Sequence, residues 1–172
     1  ELGIEVHFVK EAVVLSEDSR SSEKFMHGIK VLMAKNYIDN LSEEVRKGMR
    51  EKAEQGHWPT VAHVGYVNNS ETHRIEVDLV RGPLVARVFE WYAKGDVSLK
   101  EVARLADENG LTHPRRHRRL AKSEIHRILR NPIYAGDFLW KGKRYPGNHQ
   151  PLISKTLFET VQEVFVSGNR PK

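Results

Sequence analysis

The sequence has no cysteine. That absence removes disulfides, thiolate catalysis and any zinc site built with sulfur, and it leaves the redox compartment open. Long apolar runs are missing too. Charged residues make up 30% of the chain, and no stretch free of charge reaches the roughly 20 apolar residues that a bilayer span needs. No membrane partner is expected. No charged n-region followed by an apolar h-region opens the sequence, so no secretory signal is read. The opening at Glu1 and not at Met fits a fragment boundary. A serine nucleophile needs a base and an oxyanion site, yet there is no Gly-x-Ser-x-Gly elbow among the nine histidines and many serines. His113-x3-His117 has metal-ligand spacing, but it sits between a proline and arginines and no acid accompanies it. Composition and motifs alone assign no catalytic residue, no metal and no cofactor.

What is present is a single core's worth of apolar residues, 39% of 172, and a lopsided charge. The net charge is +5. From Thr112 to Tyr145 there are ten Lys or Arg against two acids, Glu124 and Asp137. The rest of the chain carries 18 bases and 21 acids. One segment thus holds the whole basic excess. A basic patch on an otherwise balanced chain is the footprint of a polyanion, most often nucleic acid. The competing reading is a solvated arginine-rich loop. The paired acids Glu43-Glu44 and Asp107-Glu108 read as solvated helix faces.

Periodicity predicts an α+β fold, mainly helical. It consists of a long connector helix, then a compact helical domain with short β-hairpins. Ile4, Val6 and Phe8 alternate as one face of a strand from Gly3 to Val9, with Ala12 to Leu15 as a weak partner. It reads as an edge of a larger sheet. Apolar residues from Phe25 to Met49 recur at spacings of three and four. They predict one amphipathic helix from Ser22, its N-cap, to a closing Gly56, roughly 50 Å long. Such a helix is usually an oligomer contact or a connector. Residues 57–63 read as an extended linker. Val64 to Asn68 and Arg74 to Asp78 form a hairpin. Three helices follow, one with Pro83 in its first turn, one capped by Ser98 and one from Ala121 to Arg130 that ends before Asn131-Pro132. A second hairpin, Tyr134 to Trp140 and Lys143 to Tyr145, turns at Lys141-Gly142. Ser154 caps the last helix.

The helix from Ala121 to Arg130 is the candidate reader. With Ile125, Ile128 and Leu129 inward, Ser123, Arg127 and Arg130 face out, flanked by His126 and Glu124. Arginine can engage both guanine acceptors in the major groove, and a carboxylate can accept from cytosine. Arg115, Arg116, Arg118, Arg119 and Lys122 supply phosphate contacts from the preceding loop. Lys141, Lys143 and Arg144 do so from the second hairpin. The linker is expected to run along DNA in the minor groove, disordered until bound, with Arg50, Lys52, His57 and Trp58 as contacts. The two helices before and after the basic loop resemble a helix-turn-helix pair with a long connection.

Six segments then carry a family resemblance. They are Asn40 to Gly48, Gly56-His57-Trp58-Pro59, Val64-Gly65-Tyr66, Phe89-Glu90-Trp91-Tyr92, Ile128 to Gly136, and Tyr145-Pro146-Gly147-Asn148-His149. In order and spacing they resemble the connector and "recombinase" DNA-binding domain of large serine recombinases. The resemblance implies double-stranded DNA as partner, and self-association of the parent protein through the long helix. It also implies a resolvase-type catalytic domain whose serine forms a 5′-phosphoserine link without metal, and commonly a zinc ribbon after the DNA-binding domain. On this reading residues 1–21 are a remnant of the catalytic domain, 22–56 the connector helix, 57–63 a linker, 64–168 the recombinase domain and 169–172 a tail. The setting is cytoplasmic, bacterial or phage-encoded.

The sequence departs from the family's pattern. It begins after the place where the nucleophilic serine belongs, so no catalytic residue is carried over. The long helix reads Asn36-Tyr37-Ile38-Asp39-Asn40 where the family often has arginines near the active site. The zinc-ribbon cysteines are absent, and His63 stands where proline is common. The chain is therefore expected to bind DNA without cutting it. The alternative is a stand-alone helix-turn-helix-like regulator that dimerises through the long helix. An RNA-binding module would need several exposed aromatics on a sheet, and only Trp140 offers itself.

Overall fold

A computed structural model describes residues 4–11 and 13–167. Gly3, Ala12 and the 169–172 tail lie outside the described residues. The architecture is α+β and mainly helical, as the periodicity predicts. The chain divides into two compact units, Glu1–Gly48 and Met49–Lys172.

In the first unit, β1 (Val6–Phe8) pairs antiparallel with β2 (Val13–Leu15), with Val6 opposite Leu15 and Phe8 opposite Val13. The first strand thus has a local partner. Helix α1 (Ser21–Glu54) starts here. Ser22 is not its N-cap, because Ser21 is already helical. The Arg20 N–H donates to Glu23 Oε2 at 3.1 Å, half of a capping box set at Arg20. Phe8 packs on His27 with ring centroids 4.4 Å apart, and Lys30 pairs with Glu11 at 3.2 Å. Most of the apolar stripe of α1 is uncovered: Phe25 is 67% exposed, Met33 69% and Tyr37 70%.

The second unit begins in the last turns of α1. Gly56 has φ +80°. Its N–H donates to Ala53 O and that of His57 to Lys52 O, both at 3.0 Å. This is a Schellman stop, which wants glycine in the left-handed region. A Cβ there would also meet Asn148 Nδ2 at 2.8 Å and Pro146 O at 2.9 Å. Two distant segments clasp at this point: Asn148 Nδ2 donates to Gln55 O at 2.6 Å, and Asn148 N–H to Gly56 O at 2.9 Å.

The first hairpin is β3 (Tyr66–Asn68) with β4 (Ile75–Val77). Asp78 follows and caps α2 (Arg81–Ala93), accepting from Val80 N–H and Arg81 N–H at 2.9 Å each. Burial alone would raise the Asp78 carboxyl. The bonds from Arg81 and Val80 outweigh that and hold it below the usual carboxylate range. Helix α3 (Leu99–Glu108) starts at Ser98, whose Oγ accepts from Glu101 N–H at 3.2 Å. Helix α4 (Lys122–Arg130) ends at Asn131. Residues expected to open the second hairpin, Tyr134 and Ala135, lie instead in a 3-10 turn (Pro132–Ala135). Proline fits the first helical turn, where its missing N–H costs nothing, and Asn131 Oδ1 accepts from Ile133 N–H at 3.1 Å.

The hairpin proper is β5 (Asp137–Trp140) with β6 (Lys143–Pro146). Its tip, Lys141 at φ +48° and Gly142 at φ +80°, is the two-residue turn with two positive φ angles that matches strand twist. Helix α5 (Lys155–Ser167) closes the unit, with Ser154 Oγ accepting from Leu157 N–H at 3.1 Å. Val85, Val88, Phe89, Val102, Leu111, Ile125, Leu129, Ile133, Phe138 and Val161 form a core with no exposed surface.

The linker differs from its expected disorder. Trp58 sits edge-on to Phe138 at 5.6 Å and to Trp140 at 5.7 Å, and tilts onto His63 at 4.8 Å. Its Nε1–H donates to Val61 O at 2.8 Å. This half-buried aromatic cluster packs the segment on the second hairpin.

Candidate nucleic-acid interface

Helix α4 positions the reader face by burying the other. Ile125 and Leu129 have no exposed surface and Ile128 has 5%, which leaves Ser123, His126, Arg127 and Arg130 exposed. Arg127 has no side-chain partner among the described residues. Arg130 is engaged: Nη1 donates to Gln162 Oε1 at 3.2 Å, and the guanidinium lies 5.0 Å over the Phe165 ring on α5. Glu124 does not stand free as an acceptor for cytosine. Its carboxylate takes Ala121 N–H at 2.8 Å and pairs bidentately with Arg118 at 2.9 and 3.1 Å. Burial would raise the Glu124 carboxyl, but these partners outweigh it and hold it low. The ion pair also removes Arg118 from the supply of free cations.

The basic loop before α4 is ordered by its own main chain. Thr112 and Arg119 bridge, His113 N–H donates to Arg118 O at 2.9 Å, and His117 N–H donates to His113 O at 2.9 Å. Arg115, Arg116 and Arg119 are exposed, and their guanidinium groups have no partner among the described residues, like the Lys122 ammonium. At the second hairpin, Lys141 is free at the tip among the described residues. Lys143 lies 5.1 Å over the Tyr145 ring and Arg144 pairs with Asp137 at 2.7 Å. Near the end of α1, Arg50 is exposed, while Lys52 Nζ donates to His73 O at 2.7 Å. His57 is held below the usual histidine range by burial, then by Arg74 and Lys52. It is therefore a poor cation at neutral pH.

Five of the candidate residues come together in one place. Trp58, Arg115, His126, Arg127 and Arg130 line an open groove of about 680 Å³ between α4, the basic loop and the linker. His63, Asn131 and Leu139 also line it, and sequence reasoning does not pick them out as site residues. Asn131 stands in a resemblance segment, which is a signal. Nothing local marks Leu139. Among the described residues no His, Asp and Glu cluster could hold a metal, and His113 with His117 forms none.

Three of the segments that carry the resemblance, Val64–Tyr66, Ile128–Gly136 and Tyr145–His149, meet as scaffold. Tyr66 Oη donates to Gln150 O at 2.9 Å and Tyr134 Oη to Val64 O at 2.9 Å. Tyr66 stacks on Tyr134 at 6.0 Å, and His149 Nε2 meets Ile133 O at 2.6 Å. Burial raises both phenols, so they stay neutral donors. His63 Nε2 lies 3.4 Å from Asn131 Nδ2. Burial, and then His149, hold His63 below the usual histidine range. The unfolded chain therefore takes up a proton near pH 6.5, before the folded one does. Stability contributed by neutral His63 is full above that value and is lost as pH falls below it. Thermal melts should show a falling Tm from about pH 7.5 to 5.5. His63→Gln, which keeps an acceptor for Asn131, should shrink that fall. His57, shifted the same way, should leave a remnant of it. An unchanged fall in the variant contradicts the assignment.

A compact helical domain with two short hairpins carries this open, arginine-lined groove. The model of the Recombinase family matches residues 80–166, half of the chain. This chain belongs to the Recombinase family. Two solved structures are similar to it: the protein of a crystal structure of an LSR–DNA complex, and one from work on the sequence requirements of the Listeria innocua prophage attP site. Each aligns over 72% of this chain with a TM-score of 0.59 and 20% identity. The chain spans 39% of the length of the first and 51% of the second. No curated protein matches the sequence.

Proposed function

We propose that this chain is the DNA-gripping part of a serine site-specific recombinase and recognises one recombination half-site. Helix α4 enters the major groove with Arg127 toward base edges and Ser123 and His126 beside it. Arg115, Arg116, Arg119 and Lys122 hold phosphates, and Lys141 adds a contact from the hairpin tip. The observation that carries this reading is the exposed, unpaired Arg127 on a helix anchored by three buried residues, next to a loop with three unpaired arginines among the described residues. Residues 1–21 are the end of the catalytic domain, and the uncovered apolar stripe of α1 is the self-association surface of the parent protein. Residues 64–168 are the recombinase domain, and the nucleophilic serine lies outside this chain. The neighbouring structures, one of them a DNA complex, support the same reading.

The test mixes the 172-residue chain with duplex DNA at low salt and splits each sample between a native and a denaturing gel. The native gel should show a shifted band, and the denaturing gel no protein-linked DNA. Arg115→Ala with Arg116→Ala should weaken binding to every duplex alike, since phosphate contacts carry no sequence information. A covalent adduct, or no shift at low salt, overturns the proposal.

A further inference from the structure

We infer that His113 is the positioning residue of the basic loop, through its side chain. The inference rests on the DNA reading above. Imidazole Nδ1 lies 3.2 Å from the backbone nitrogen of Arg115 and 3.3 Å from that of Arg116, and accepts both N–H groups. Asp, Asn, Ser and Thr normally make this local pattern, a side-chain acceptor for the N–H groups two and three residues on. Histidine can make it only with Nδ1 unprotonated, so its ring proton sits on Nε2. The residue between, Pro114, has no N–H to offer, and Arg115 is therefore the first donor the ring can take. The main chain of His113 closes the loop from outside, to Arg118 O and from His117 N–H. Its side chain closes the loop from inside.

The consequence concerns arginine placement. Arg115 and Arg116 have exposed guanidinium groups without partners among the described residues, and only their backbone is fixed. A phosphate-binding arginine on a loose loop must be ordered at the moment of binding, which costs affinity. The ring orders that backbone in advance. Glu124 on α4 leaves the ring free for this role, because Arg118 and Ala121 already occupy its carboxylate. Arg127 and His63 share the groove that His113 lines. The first member of the pair His113-x3-His117 thus has a use within the loop.

The test compares His113→Ala and His113→Asn with the unaltered chain. Asparagine Oδ1 can accept the same two N–H groups. His113→Ala should bind duplex DNA about five- to tenfold more weakly, the scale of one net hydrogen bond, and His113→Asn should return to within about twofold. Amide exchange should quicken at Arg115 and Arg116 in the alanine variant alone. The ¹⁵N spectrum of the unaltered chain should show His113 Nδ1 as the unprotonated nitrogen. Thermal melts check that the variants stay folded. Alanine binding like the unaltered chain, asparagine as weak as alanine, or a proton on Nδ1 would each overturn the inference. Absence of DNA binding by the unaltered chain would sink the DNA reading, while exchange and nitrogen spectra would still decide the role of His113.

Discussion

Log affinity of the 172-residue chain for duplex DNA should fall against log salt with a slope of about −4 to −5. The structure narrows the count of cations behind that number. Ten Lys or Arg lie between Thr112 and Tyr145. Arg118 is held by Glu124, Arg144 by Asp137 and Arg130 by Gln162, and Lys143 lies on Tyr145. Arg115, Arg116, Arg119, Lys122, Arg127 and Lys141 keep side chains without partners among the described residues. If about five of them each displace a counterion, a fourfold rise in salt costs about 300- to 1,000-fold in affinity. Titration at four or five salt concentrations measures the slope. A slope near zero would mean that the basic segment faces away from DNA.

Arg127→Ala should cost about 1–3 kcal/mol on the cognate half-site and little on random duplex. Two features single out this arginine. It stands at the middle of the exposed arc of α4, between buried Ile125 and Ile128, so the helix cannot roll to hide it. Among the described residues nothing holds its guanidinium, so no intramolecular bond must break before it meets a base. Arg130 differs on the second point. Its contacts with Gln162 and Phe165 fit a phosphate contact or a bond that braces α5. Both affinities should be measured at one fixed salt concentration, because the phosphate term would otherwise swamp the difference. An equal loss on both duplexes would make α4 a phosphate clamp.

Local signals are legible in the sequence where one element decides its own structure. The spacing of Ile125, Ile128 and Leu129 marks the inward face of α4, Ser98 marks the start of α3, and Lys141-Gly142 marks the hairpin turn. The family resemblance is legible as well, and residues 80–166 match the Recombinase model. What stays hidden depends on partners far away in the chain. Trp58 looks like part of a bare linker because Phe138 and Trp140 stand some 80 residues on. The clasp of Asn148 on Gln55 spans 93 positions. Glu124 looks available because the geometry that brings Arg118 onto it comes from the folded loop. Tyr134 has a strand-like side chain, but Pro132 begins a 3-10 turn before any pairing starts.

Selection from random DNA can reveal the half-site itself and shows whether α4 reads sequence. The chain is used to select duplexes from a library with a randomised core, in parallel with its Arg127→Ala variant. One enriched motif is expected for the unaltered chain, and the same motif with preference relaxed at one base position for the variant. No enrichment by the unaltered chain, at a salt concentration where it binds duplex, would contradict a sequence-reading grip.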